Sequence, residues 1–481
     1  MRQVPHTAPL WPALPSTWRH LCRAFLASLA LAGCDAPERP IPPVPNVILI
    51  SLDTLRADHL GVYGYERPTS PEIDAFAGES FVFERALAPA PNTPPSQMTM
   101  MTSLTPGRHG FTGSWDTLAP DIETLAQRLS QAGLATAGFV DAGYLRAIFG
   151  FDRGFDTYDD RGGGLASIIP RALRWLDAHP DQRFFLFVHT YDIHAPYVSP
   201  APYAGMFHET PYTGSLDPTA EALDAIWRES IEISAADLQH LVDSYDEGIR
   251  YTDAQLGQFL TALRERGRLD DTLIIITSDH GEEFGEHGSV SHWRLYFQPN
   301  LRIPLIIRLP GGGRVPERLT QPTQLLDVLP TILDAAGAPR LEAAQGRSLM
   351  PLITARTAGP ERPADAVRAI LGWWPEPLTQ PRRSIILGDS QLIFDSAMPG
   401  KEELYDLAAD PMTRNNLAAD RPDEVARLLA RARADLARNR PLPGTGEATQ
   451  IELERRVLEQ LEALGYRPVR TEAGAPAATP E

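Results

Sequence analysis

The chain has 481 residues, 43% of them hydrophobic and 22% charged, which is enough apolar content for one large core with a smaller second unit and excludes a disordered body. Its formal net charge of −18 lacks the basic footprint that nucleic-acid binding requires, so no nucleic-acid partner is expected. Lys401 is the single lysine, so any other cationic side chain in a site must be Arg or His.

At the N-terminus, Arg19, His20 and Arg23 form a basic stretch, residues 24–31 are a short and mostly apolar run, and Leu31-Ala32-Gly33-Cys34 follows. The run is too short to span a bilayer as a helix. Charge, apolar run and small residues before a cleavage point describe a secretory signal over residues 1–33. The Leu-Ala-Gly-Cys ending resembles a bacterial lipobox. That resemblance implies a lipidated Cys34 and attachment to the membrane by a lipid anchor, on the periplasmic or extracytoplasmic face of a bacterial envelope. Cys22 and Cys34 are the only cysteines, so no disulfide framework is available. Residues 34–45 are Pro-rich and read as a stiff tether.

The folded body begins at Asn46. Val47-Ile48-Leu49-Ile50-Ser51-Leu52 is a nearly continuous β-rich apolar run, the pattern of a strand buried on both faces. Similar runs occupy residues 134–140, 184–188, 273–277 and 303–309, and helical patterns occupy 122–132, 168–178 and 244–266. This alternation predicts an α/β fold with a doubly wound sheet, whose functional edge lies beyond the carboxyl ends of the strands. Asp53 stands just past the first strand, and Asp279 and His280 just past a later one. A catalytic domain over 46–345 is followed by a small α+β subdomain over 346–440. Its predicted elements are strands at 383–387, 392–395 and 403–407 and an amphipathic helix over 422–438, with acids early and Arg late to match its dipole. Residues 441–481 read as a linker, a helix over about 449–464, and an Ala/Pro-rich disordered tail.

Several segments together resemble the sulfatase family of the alkaline phosphatase superfamily. Ser51-Leu52-Asp53-Thr54-Leu55-Arg56-Ala57-Asp58-His59-Leu60-Gly61 is similar to its first metal motif. Thr93-Pro94-Pro95-Ser96-Gln97 through Thr102, Pro106, His109 and Gly110 is similar to its nucleophile motif. Ser278-Asp279-His280-Gly281-Glu282 is similar to its second metal motif, and Tyr191-Asp192-Ile193-His194-Ala195-Pro196-Tyr197 to a substrate-side histidine motif. The resemblance runs from about Asn46 to Leu417. It implies a large mixed, mostly parallel sheet sandwiched by helices. It also implies one divalent cation (Mn²⁺, Ca²⁺, Mg²⁺ or Zn²⁺) on Asp53, Thr93, Asp279 and His280. Carboxylates and imidazole are ligands for such ions, and a metal at an alcohol activates it as a nucleophile.

The departures from the family pattern bear on the chemistry. Sulfatases carry a Cys or Ser converted to formylglycine where this chain has Thr93, and an Arg where it has Gln97. Thr cannot be converted in that way, whereas a phosphorylated Thr can be released by attack of water or an alcohol at phosphorus. The segment Gly138-Phe139-Val140-Asp141-Ala142-Gly143 lacks the Lys and His that grip sulfate in the family. A Thr nucleophile with Asp and His ligands resembles lipoteichoic acid synthases and phosphoethanolamine transferases.

The expected activity is therefore hydrolysis or transfer of phosphate mono- or diesters through phospho-Thr93. The alternatives are a sulfatase with an atypical nucleophile and an inactive member that binds an anionic ligand. The expected partner is an anionic ester, an envelope lipid or glycan among the options. His194 and His292 are expected to hold non-bridging oxygens or protonate the leaving group. His109 and His287 are expected to be structural, and Arg56 with Asp58 an ion pair orienting the metal loop. Pro94-Pro95-Ser96 reads as a helix start that puts Thr93 just ahead of a helix N-terminus, with Thr99 and Thr102 inside the helix.

Overall fold

A computed structural model describes residues 44–111, 116–209, 211–228, 231–292, 296–311, 317–354, 382–395, 398–439, 449–450, 455–464, 469–470 and 476–477. The expected secretory signal, Cys34 and all but the end of the expected tether lie outside these residues.

An eight-stranded sheet forms the centre. In chain order its strands are β1 (Asn46–Leu52), β2 (Phe81–Phe83), β3 (Ala135–Phe139), β4 (Thr157–Asp159), β5 (Phe184–Thr190), β6 (Thr272–Thr277), β7 (Leu305–Arg308) and β8 (Glu317–Leu319). They lie side by side as β8-β2-β7-β6-β1-β5-β3-β4. β1 is parallel to both β5 and β6, and β3 is parallel to β4 and β5. β7 is antiparallel to its neighbours β2 and β6, so it alone runs against the sheet. The sheet is mixed and mostly parallel, as the apolar runs predict. Every residue of β1, β5 and β6 is buried, which is why these segments read as unbroken apolar runs.

Helices cover both faces. Ile48, Ile50 and Leu52 pack into a core shared with the helices Pro71–Ala77, Gly164–Ala178 and Ala235–Glu265. Side chains alternate along a strand, so Val47, Leu49 and Ser51 face the opposite layer. That layer contains the helices Thr93–Thr102, Leu125–Gln131 and Val328–Ala336. Gln97 marks the contact by donating from Nε2 to Ser51 Oγ at 2.8 Å. Ser51 pairs in register with His189 of β5, so both belong to the face turned toward the Thr93–Thr102 helix.

The small C-terminal sheet is an antiparallel meander of β9 (Arg382–Leu387), β10 (Ser390–Asp395) and β11 (Glu403–Asp406). The helix Pro422–Arg438 covers one face through Leu428 and Ala432, against Ile385, Leu392, Phe394 and Leu404.

Several elements differ from the sequence reading. The expected strand over 303–309 is two pieces, Arg302–Ile303 and β7, because Pro304 has no N–H to continue a ladder. The helix expected over 244–266 begins at Ala235, where Ser234 and Asp237 form a reciprocal capping box. The helix expected from residue 449 spans Arg455–Ala463, and Thr449–Gln450 instead pairs with Asp116–Thr117. Pro476–Ala477, in the tail expected to be disordered from Thr471, pairs with Val469–Arg470 just before it. No helix among the described residues is long and apolar enough to cross a membrane.

Candidate metal and nucleophile site

The carboxyl ends of β1, β5 and β6 meet at one edge of the sheet. Asp53 follows β1 directly, and its N–H donates to Thr190 O at the end of β5, 3.1 Å away. Thr54 then takes a left-handed conformation, φ 57°, which costs a non-glycine residue roughly 1–3 kcal/mol. Its surroundings hold it there. Thr54 N donates to Asp279 Oδ1 at 3.4 Å, and the Tyr245 hydroxyl donates to Thr54 O at 2.7 Å. Leu55 N donates to Ser278 Oγ at 3.0 Å. The loops after β1 and β6 are thus stitched together, and their acids converge.

The second loop is equally constrained. His280 N donates to Asp279 Oδ1 at 3.0 Å, and His280 Nδ1 donates to Gly281 O at 2.9 Å. Because Nδ1 carries the proton, Nε2 presents its lone pair to the site. Gly281 N donates to Asn300 O at 2.9 Å, and a Cβ on Gly281 would lie 2.0 Å from Pro299 O. The glycine after His280 is therefore demanded by close backbone approach.

Thr93 is the first residue of the Thr93–Thr102 helix, not a residue just ahead of it, because Asn92 takes the cap position. Prolines follow at the next two positions, where a missing N–H costs nothing. Thr93 Oγ1 lies 3.2 Å from Asp53 Oδ2 and 3.2 Å from His280 Nε2. The other helix threonines point elsewhere: Thr99 Oγ1 is 3.2 Å from His109 Nε2, and Thr102 Oγ1 donates to Met98 O at 2.7 Å.

Asp53, Asp279 and His280 are fully buried, and one ligand atom from each lies within 4.8 Å of the others. Burial and the neighbouring Asp279 push the Asp53 carboxyl well above the usual carboxylate range. Burial would raise Asp279 too, but His280 and His189 outweigh it and hold it low. Asp53 Oδ1 and Asp279 Oδ2 are buried without a hydrogen-bond partner. Two crowded acids with orphaned oxygens beside an imidazole lone pair fit a divalent cation, which would neutralise both.

The two expected substrate histidines belong to the same cluster. The His292 ring centroid is 4.5 Å from that of His280 and 5.1 Å from that of His194. Burial pushes His194 down to about 3 and His292 down to about 4, so both rings are neutral near pH 7. His194 Nδ1 donates to Ala195 O at 2.7 Å. His292 Nδ1 is 3.1 Å from Glu282 Oε1, and burial raises Glu282 to about 7.

Two residues of the site have no role assigned from the sequence: Glu282, quoted only as part of the second metal motif, and His189. Glu282 follows the Asp-His-Gly segment and could have been flagged by that position. His189 lies within β5, fully buried, with Nε2 3.3 Å from Asp53 Oδ2; burial lowers it to about 4. Its signal was a histidine one residue past an apolar run.

The remaining expectations can be placed as well. Arg56 pairs with Asp58 at 2.8 Å and also with Glu286 at 2.6 Å. His109 braces the Thr93 helix. His287 stacks on Phe297 and lies 2.8 Å from Thr413 O through Nε2, away from the cluster. Where sulfate-gripping residues were missed in the sequence, Asp141 Oδ1 instead accepts from Gly163 N at 2.8 Å and Gly164 N at 3.1 Å.

Comparison with known proteins gives a consistent picture. A family profile described as Sulfatase matches residues 45–338, and one described as N-sulphoglucosamine sulphohydrolase, C-terminal, matches residues 285–440. The chain is 25% identical to an arylsulfatase of Clostridium perfringens, over 65% of this chain and 79% of that protein. It is 24% identical to an N-acetylglucosamine-6-O-sulfatase of Bacteroides thetaiotaomicron, over 90% of this chain and 94% of that protein. The fold is similar to that of a phosphonate monoester hydrolase of Agrobacterium radiobacter, with a TM-score of 0.66 at 23% identity, covering 83% of this chain and 96% of that one.

Proposed function

Because the chain belongs to the sulfatase family, whose profile spans residues 45–338, we propose that it hydrolyses phosphate mono- or diesters through a phosphorylated Thr93. The supporting observation is the position of Thr93 Oγ1, 3.2 Å from both Asp53 Oδ2 and His280 Nε2, at the first position of a helix. Asp53, Asp279 and His280 would hold a divalent cation, which lowers the pKa of a nearby alcohol and offsets charge on the transferring group.

The residues of the chain supply the rest. Thr93 donates its hydroxyl proton to Asp53 Oδ2, which orients the oxygen for attack at phosphorus. Attack forms the Thr93 O–P bond and expels the ester alcohol. Water then attacks phosphorus and gives its proton to the imidazole left by the first step, the Thr93 O–P bond breaks, and Thr93 takes its proton back from Asp53. In His194, and in His292 facing an ionised Glu282, the donor is Nδ1, so Nε2 of the neutral ring accepts. Gripping an anion therefore takes an imidazolium, which the substrate's negative charge favours. That imidazolium is also the acid that a leaving alkoxide needs. Kinship with lipoteichoic acid synthases and phosphoethanolamine transferases belongs to the same proposal. An added alcohol that appears in the product would identify transfer.

A sulfate ester is the second reading, favoured by the named sulfatase relatives. A panel of aryl phosphate, phosphodiester, phosphonate and sulfate esters with added Mn²⁺, Zn²⁺ or Ca²⁺ separates the two. Phosphorus esters are expected to turn over faster. Thr93→Ala is expected to abolish turnover, Thr93→Ser to keep part of it, and the wild-type peptide holding Thr93 to carry phosphate after quenching. Faster sulfate turnover by the wild type would replace the first reading with the second.

The location of this activity is also a proposal: a bacterial envelope, with lipid on Cys34 and an envelope lipid or glycan ester as substrate. Cys34→Ala is expected to release the protein from membranes or block its processing. Normal processing and retention of that variant would rule the anchor out.

A further inference from the structure

His189 plays no part in the reaction above, although it lies inside the site. It is fully buried at the end of β5, in register with Ser51, and its ring meets Tyr191 edge-on with centroids 4.7 Å apart. Nε2 is 3.3 Å from Asp53 Oδ2. With a cation on Asp53 the carboxylate is ionised and only accepts, so Nε2 carries the proton and Nδ1 is bare. Nδ1 is indeed buried without a partner. Burying an orphan nitrogen costs stability, so the ring is held in place by what Nε2 does.

Thr93 Oγ1 donates to the same Oδ2, at 3.2 Å. Two donors converge on one oxygen of Asp53. Oδ1 is the partnerless oxygen, 3.9 Å from His280 Nε2, and Asp279 Oδ2, likewise partnerless, is 3.6 Å from the same nitrogen. The three converging ligand atoms are thus Asp53 Oδ1, Asp279 Oδ2 and His280 Nε2.

We infer that His189 is a positioning residue for the cation. By holding Asp53 Oδ2 it leaves Asp53 a single ligating oxygen, Oδ1, and biases the site toward a compact cation such as Mn²⁺ over Ca²⁺. Ca²⁺ takes about 6–8 oxygens, often from carboxylates that bind through both oxygens, and a carboxylate with one oxygen already hydrogen-bonded serves it poorly. A smaller ion accepts one oxygen per carboxylate together with an imidazole nitrogen. Donors behind ligating carboxylates tune metal affinity, and losing one typically costs about 10–100-fold. The inference rests on reading Asp53, Asp279 and His280 as a cation site, and it is independent of the chemistry at Thr93.

The test uses the full chain stripped of metal, without substrate. Mn²⁺ binding is followed by the loss of the free-ion electron paramagnetic resonance signal, and Ca²⁺ binding by calorimetry. The wild type is expected to prefer Mn²⁺. His189→Ala is expected to bind Mn²⁺ about 10–100-fold more weakly and to lose most of the preference over Ca²⁺. His189→Gln, whose side-chain amide can donate to the same oxygen, is expected to recover most of both. Should the alanine variant fail to fold, His189→Leu fills the same space without a donor, and the contrast between Gln and Leu carries the reading. Unchanged Mn²⁺ affinity in the Ala or Leu variant, or a wild type that prefers Ca²⁺, overturns the role of His189 alone. A wild type that binds neither ion overturns the cation site as well.

Discussion

His109 shows how a residue outside the reacting cluster sets conditions on it. The ring is 2% exposed, and its two nitrogens have opposite duties. Nδ1 accepts from Phe111 N at 3.0 Å, so it cannot carry a proton, while Nε2 lies 3.2 Å from Thr99 Oγ1 on the helix that begins at Thr93. Burial pushes His109 down to about 3, below the ordinary histidine value of about 6.5. The folded chain therefore refuses a proton that the unfolded chain binds. The resulting stability is fully present above about pH 6.5 and is lost as pH falls toward about 3, with a slope of at most ~1.4 kcal/mol per unit. Denaturant unfolding of the wild type is expected to show declining stability across that window. His109→Gln, which keeps a polar side chain and cannot charge, should show a shallower decline. An equal slope in the two proteins would mean that other groups carry the acid sensitivity.

Elements were legible in proportion to how much of their surface is buried. β1, β5 and β6 bury every side chain, so composition alone reveals them. The three-residue strands β2, β4 and β8 are too short for any period to register. The long helix Ala235–Glu265 is expected only from residue 244, and its charged positions look like solvent-facing ones. Several of them are buried. Asp246 accepts from the Tyr65 hydroxyl at 2.6 Å and pairs with Arg67 at 2.7 Å. Asp253 accepts from Glu72 N and Ile73 N, and so caps the helix Pro71–Ala77 from outside it. Asp53, Asp279 and His280 were legible because the motifs that hold them occur together and in family order, each just past a predicted strand. His189 sits within a strand, and strand periodicity gives the face of a residue but not what lies across it. Glu282 depends on a partner, His292, ten positions later, which spacing alone does not bring together.

At the scale of the whole molecule, the C-terminal sheet braces the site from behind. The face of that sheet away from its helix presents Ile386, Ile393 and Tyr405 to Leu87, Tyr296, Phe297 and Leu301 of the body. Gln391, fully buried, donates to Tyr296 O at 2.6 Å and accepts from Gln298 Nε2 at 2.7 Å. The segment held in this way continues into Pro299 and Asn300, the residues that press on Gly281, and Asn300 Nδ2 also reaches Glu283 Oε2 at 3.2 Å. A contiguous path thus joins the small sheet to His280 through Phe297, Asn300 and Gly281. Ending the chain at residue 354 would uncover Leu87, Tyr296, Phe297 and Leu301. Exposing a large apolar side chain costs about 1.5–3 kcal/mol, and four of them approach the whole stability of about 5–15 kcal/mol typical of a domain. The shortened chain is therefore expected to aggregate or melt well below the full chain. A milder change, Ile393→Asp, places one charge in the same interface. It is expected to lower both the melting temperature and Mn²⁺ affinity, because it loosens the segment that positions Gly281 and His280. If Ile393→Asp melts earlier yet binds Mn²⁺ as the wild type does, the small sheet stabilises the fold without positioning the cation ligands.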